Sequence, residues 1–148
     1  MQSSLFEESK AGIENLDEVN AEIRESVRSR YGHRIFIPGK GPANARIVIV
    51  GESPGPLDIP TGKPFSGPSG ELLERMMRAI EIRLDECYRT NVVKFVSQGD
   101  EITQNELSFF SPLLHREILA VSPEIVIVLG NTPAKAVLSI KKSISQIR

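Results

Sequence analysis

The chain has 148 residues, 40% of them hydrophobic and 25% charged, with a formal net charge of −1. That length accommodates one compact domain with a true core, and no apolar run is long enough to cross a bilayer as a helix. The near-zero net charge supplies no global basic field, which argues against tight non-specific DNA binding while leaving weak, transient binding open.

The first residues, Met1-Gln2-Ser3-Ser4-Leu5-Phe6-Glu7-Glu8, lack a basic start, an apolar stretch and a cleavage site. A secretory leader is therefore not expected, and a cytoplasmic location is. Ile13, Leu16, Val19, Ile23 and Val27 recur at steps of three and four, which predicts an amphipathic helix in an N-terminal helical segment over residues 1–33. Arg24, Arg28 and Arg30 near its end suit the helix dipole, as a solvated face or as phosphate contacts. Arg34-Ile35-Phe36-Ile37 reads as a short strand, broken by Pro38-Gly39-Lys40-Gly41-Pro42.

Arg46-Ile47-Val48-Ile49-Val50 is a nearly all-apolar, β-branched run that suits a central parallel strand. Helical spacing returns at Leu72, Leu73, Met76, Met77 and Ile80, and Tyr88 to Val93 is the next expected strand. Cys87, at its start, is the single cysteine. It excludes an intrachain disulfide and any cluster held by several cysteines of one chain, and a buried thiol fits it better than a reactive one. Thr103 and Glu106 form a capping box for a helix running to about Val121, before Pro123. Ile125 to Leu129 is a third apolar strand, followed by Thr132 as a cap and Pro133 at the first helical position. The alternation predicts an α/β fold, a three-layer α/β/α arrangement around a central, mainly parallel sheet. Ligands sit at the C-terminal strand ends of such sheets, so the loops that begin at Gly51, Asn91 and Gly130 are the candidates.

The first of these loops, Gly51 to Gly67, holds four glycines and four prolines. Its backbone is both stiff and able to approach a ligand closely. A plain strand-to-helix connector is one reading, but a loop of this length is uncommon in a compact domain and usually functional. Phe65 within it is either a core plug or a stacking platform for a base. Asn91 is either a turn-capping amide or a polar reader of a ligand edge. His115 falls on the capped helix, where a surface or satisfied side chain is the simpler reading.

Gly51-Glu52-Ser53-Pro54-Gly55, Gly62-Lys63-Pro64-Phe65 with Gly67 and Gly70, Thr90-Asn91-Val92-Val93-Lys94 and Leu129-Gly130 together resemble the family 4 uracil-DNA glycosylases over about residues 34–140. The resemblance implies a uracil-DNA glycosylase-like domain over residues 1–148 that acts on uracil-containing DNA in base-excision repair. It implies hydrolysis of the N-glycosidic bond of a flipped-out deoxyuridine, with water as nucleophile. Such an enzyme must take the base out of the stack and hold it in a pocket. Phe65 then corresponds to the residue that stacks on uracil and Asn91 to the one that reads its edge. Gly51, Pro54 and Gly55 belong to the pocket wall, and backbone N–H groups around Glu52 to Gly55 face uracil O2 like an oxyanion hole. Glu52, Ser53 and Asp58 are the candidate catalytic groups. Ser53 stands where some branches position the attacking water, and Asp58 where the family has an acidic residue that crowds the thymine methyl. Ile59 replaces the usual Asp beside it, so thymine exclusion is not carried over.

Two departures accompany the resemblance. Family 4 enzymes typically hold an iron–sulfur cluster on four cysteines, and Phe95 and Phe110 occupy two of those positions here. No cofactor and no metal cluster are expected, with packing in the cluster's structural place. Val96-Ser97-Gln98-Gly99-Asp100 replaces an arginine- and proline-rich stretch. The family also continues to a His-Pro-Ser loop, for which His33 and His115 lie too early. A truncated C-terminal end, slow or absent excision and a monomeric state are the expectations. The alternative is a catalytically impaired or inactive uracil-binding relative. A nucleotide-binding protein is disfavoured, because no Gly-x-Gly-x-x-Gly or Walker pattern follows a strand.

Overall fold

The computed structural model describes residues 14–139. Helix α1 (Leu16–Tyr31) starts at Asn15, whose side chain accepts hydrogen bonds from the N–H groups of Asp17 and Glu18. This satisfies donors that the first turn leaves without intrahelical partners. Leu16, Val19, Ile23 and Val27 form its buried stripe, as their spacing predicts, while Ile13 lies outside the described residues. Strand β1 (Ile47–Gly51), helix α2 (Pro68–Ala79), strand β2 (Tyr88–Asn91), helix α3 (Gln104–Val121), strand β3 (Ile125–Val128) and helix α4 (Asn131–Ser139) follow. Thr103 and Glu106 close the expected capping box at the start of α3.

The three strands are parallel in the order β2-β1-β3. Gly51 pairs with Asn91 on one side of β1, and Val50 with Val128 on the other. Because successive strand residues point to opposite faces, β1 divides the core. Val48 and Val50 join the buried residues of α1, α3 and α4, whereas Ile49 packs with Leu73 and Met77 of α2 and with Cys87. The sheet therefore lies between one helix on one face and three on the other. Two adjacent elements of the larger layer, α1 and α3, are further tied by Arg116, which pairs with Glu14 and Glu22.

Several local expectations are corrected. Arg34–Ile37 forms no ladder strand. It makes one antiparallel bridge, Phe36 to Phe95, flanked by the bonds Ile37 N–H to Lys94 O and Val96 N–H to Ile35 O. The segment pairs again only at Lys40, which exchanges two backbone bonds with Arg89. Strand β2 stops at Asn91 rather than Val93: Val92 N–H donates to Gly51 O, the last residue of β1, and Val93 N–H to Glu52 O in the loop beyond it. On α2 only Leu73 and Met77 of the five apolar side chains are buried, and Leu72, Met76 and Ile80 are exposed. Strand β3 is an edge strand among the described elements, with Ile125 53% exposed. An unbroken apolar run could not by itself show whether a strand is central or at an edge. Helix α4 begins at Asn131, so Thr132 and Pro133 stand within its first turn. No helix among the described residues is long and apolar enough to cross a membrane.

Candidate active site

The C-terminal ends of all three strands meet at one cavity of about 380 Å³. Gly51 closes β1, Asn91 closes β2 and Leu129 follows β3, and all three line it with Glu52, Ser53, Gly55, Asp58 and Phe65. This is where a doubly wound sheet presents ligands, since the loops after β1 and β3 depart to opposite faces. Larger grooves lie elsewhere on the surface, such as one of about 760 Å³ between α3 and α4. Size alone does not select among them. The chemistry of the walls does.

Phe65 is presented by a backbone that few residues adopt: its φ is 58°, the left-handed region disfavoured for side chains with a Cβ. The strain is held in place from two directions. Gly70, at the start of α2, allows the helix to approach so closely that a Cβ there would overlap the Phe65 carbonyl. Asp58, buried in the same loop, accepts hydrogen bonds from Ser66 N–H at 2.8 Å and Gly55 N–H at 3.1 Å. Both carboxylate oxygens of Asp58 thus hold the loop that carries Phe65.

Asn91 is only 5% exposed, yet its side-chain amide takes no partner from the described residues. Its amide atoms are not sealed from water, since no fully buried side-chain polar atom among the described residues lacks a partner, and they open onto the cavity. Gly51 makes this approach possible. A Cβ there would stand 2.5 Å from Asn91 Oδ1 and 2.9 Å from Phe65 Cζ, so the amide and the ring converge over a residue that has no side chain. Glu52 is exposed and Ser53 half-buried. Of the backbone donors expected around Glu52 to Gly55, Pro54 has none and Gly55 N–H is engaged by Asp58. Glu52 and Ser53 supply the remaining N–H groups of that stretch.

With this geometry the similarities to known proteins can be located on the chain. The model of the uracil DNA glycosylase superfamily matches residues 38–147. This chain belongs to the uracil DNA glycosylase superfamily. The matched region contains β1, the Phe65 loop, β2 and the whole cavity wall. Among curated relatives, the type-4 uracil-DNA glycosylase of Archaeoglobus fulgidus is 33% identical over 132 residues, covering 86% of this chain and 66% of that protein. The type-4 enzyme of Sulfurisphaera tokodaii is 35% identical over 105 residues, covering 70% of this chain and 48% of its own length. That of Saccharolobus solfataricus is 32% identical over 122 residues, covering 80% and 56%. The chain thus spans about half to two thirds of the length of these relatives.

The iron–sulfur cluster that the family 4 resemblance implies does not fit the residues present. Phe95 and Phe110 are buried with ring centroids 5.6 Å apart, and Tyr31 and Phe109 complete an aromatic cluster around them. Such rings contribute apolar area and edge-to-face attraction, and they offer no ligand to iron. Cys87 lies on the opposite face of the sheet, where burial pushes its thiol above the ordinary value. The purified 148-residue chain is expected to be colourless. Iron analysis and a visible spectrum check this, and about four iron atoms per chain with visible absorption would refute it.

Sequence reasoning missed one part of the site. Lys94 is 1% and Glu117 0% exposed, and they pair at 2.6 Å directly behind Asn91. Burial pushes the Lys94 ammonium below its ordinary value, and the Glu117 carboxylate opposes that shift. Lys94 was visible within the Thr90-Asn91-Val92-Val93-Lys94 motif, but Glu117 is remote in sequence and reads as one more helical charge. Leu57 lines the cavity unforeseen, and Leu129 of the Leu129-Gly130 motif lines it too, both as exposed apolar residues.

Proposed function

We propose that this domain binds uracil flipped out of DNA and serves hydrolysis of its N-glycosidic bond in base-excision repair. The observation that carries the reading is Asn91: a side-chain amide with no partner among the described residues, open beside Phe65 onto a cavity at the strand ends. An Asn amide offers one acceptor and one donor, which match uracil N3–H and O4 together, whereas cytosine presents the reverse pattern. Phe65 supplies a face on which the base stacks. The N–H groups of Glu52 and Ser53 are the donors for uracil O2, where negative charge develops as the base departs. Gly51, Pro54 and Gly55 shape the wall.

Glu52 and Ser53 are the groups nearest this wall for handling the attacking water. The two backbone bonds of Asp58 support a positioning role, holding Phe65 and the turn at Gly55, rather than proton transfer. The type-4 relatives are uracil-DNA glycosylases by name, which supports uracil as the base.

The test uses short single-stranded oligonucleotides with one central deoxyuridine or deoxycytidine, so that duplex opening does not mask base preference. A 2′-fluorine on that sugar slows glycosidic cleavage and keeps the probe intact during binding. Tighter binding of the uracil oligonucleotide is the expected result, and alkali-labile sites from the unfluorinated one report excision. Equal affinity for the two bases would overturn the reading.

A further inference from the structure

The buried pair behind Asn91 is expensive for a fold. Taking two charges out of water costs several kcal/mol per ion before their attraction is counted, and apolar replacements are often as stable or more so. Every donor of Lys94 is nevertheless placed. Its Nζ donates to Glu117 Oε1 at 2.6 Å, to Thr90 Oγ1 at 2.7 Å, and to the backbone carbonyl of Asn91. Glu117 also accepts from Tyr88 Oη at 2.6 Å and from Thr90 Oγ1, and Asn20 Nδ2 of α1 donates to Tyr88 Oη at 3.2 Å. Side chains from α1, β2, α3 and the loop after β2 therefore converge in one satisfied network, and no buried side-chain polar atom among the described residues lacks a partner.

The network ends on the residue that faces the ligand. Asn91 makes the last parallel pair of β2, with Gly51. Beyond it the chain leaves the strand, and the ammonium three residues later returns to grip the Asn91 carbonyl. The side-chain amide of the same residue makes no hydrogen bond to any described residue, so its aim depends on how firmly its backbone is fixed.

We propose that Lys94, balanced by Glu117, is a positioning residue that sets base specificity by fixing the backbone of Asn91. This rests on the reading of Asn91 as the uracil-edge reader. The pair touches no base itself. Thr90 and Tyr88 hold the pair in register between sheet and helices, so the orientation of α3 reaches the base pocket through one ammonium group.

The test compares the unaltered chain with Glu117→Gln and with the double variant Lys94→Met/Glu117→Leu, using the fluorinated uracil and cytosine oligonucleotides. The double variant leaves no lone buried charge, but the Tyr88 and Thr90 hydroxyls lose Glu117, so a lower melting temperature is expected and a cooperative thermal melt shows that the variant is folded. Its uracil-over-cytosine affinity ratio should fall roughly 10-fold or more, since misplacement of a binding group by about 1 Å can cost up to ~100-fold. An undiminished ratio in the folded double variant overturns the proposal and leaves the pair as packing. Should the double variant fail to fold, Glu117→Gln decides: it keeps a neutral acceptor of similar shape, and its ratio should fall about threefold or more if Asn91 is held through the pair. An unchanged ratio there likewise overturns the proposal. In an Asn91→Ala background the double variant should change the ratio no further, because both act on one group; a further drop would show that the pair acts by another route. Asn91→Asp, tested alone, keeps the two failures apart. A normal effect of Asn91→Asp with an intact ratio in the double variant removes only the positioning role, whereas no effect of Asn91→Asp removes the uracil reading itself.

Discussion

Asn91→Asp should lower uracil binding and excision by roughly 5- to 150-fold, measured at pH 8. The substitution keeps size and shape and replaces the amide donor with a second acceptor oxygen. Uracil N3–H keeps its partner, while O4 faces an oxygen and loses one. A bidentate pairing of this kind is worth about 1–3 kcal/mol of discrimination, which converts to that range of affinity. Cytosine should lose less or even gain, because its N4 amine can donate to the new carboxylate. The comparison is made side by side in single-stranded oligonucleotides. If uracil falls no further than cytosine, Asn91 does not read the base, and its amide belongs to the turn.

Gly51→Ala should abolish most uracil binding, by about 100-fold, with the chain still folded. The new Cβ would stand 2.5 Å from Asn91 Oδ1 and 2.9 Å from Phe65 Cζ. Both are ends of side chains, so they can move aside and the sheet pairing of Gly51 with Asn91 can persist. What is lost is the convergence of amide and ring. Thermal melts by circular dichroism, run beside the binding measurements, separate the two effects. Uracil affinity retained within a few-fold in a folded Gly51→Ala chain would place the base elsewhere. A drop in melting temperature large enough to unfold the chain would mean that Gly51 serves packing first.

Except for the expected strand at Arg34–Ile37, the sequence by itself determined the described elements and their order. Apolar residues at helical spacing located α1, β-branched runs located β1 and β3, and the Thr103–Glu106 pattern located the start of α3. These are local signals, written in the periodicity of the chain and in capping chemistry. The same local chemistry singled out the Gly51–Gly67 loop and Asn91, and ordered motifs carried the resemblance to a glycosylase family. What required the tertiary structure was everything set by residues far apart in the chain. Strand order decided that β3, apolar throughout, lies at an edge among the described elements, and packing that only Leu73 and Met77 of the α2 stripe reach the core. Asp58 read as a candidate acid, and only the folded loop brought both of its oxygens onto backbone N–H groups. Glu117 carried no signal at all, because a glutamate on a helix is ordinarily solvated. Only burial against Tyr88, Thr90 and Lys94 turns it into the counter-charge behind the pocket, since the desolvation that demands a partner exists only once the chain has folded.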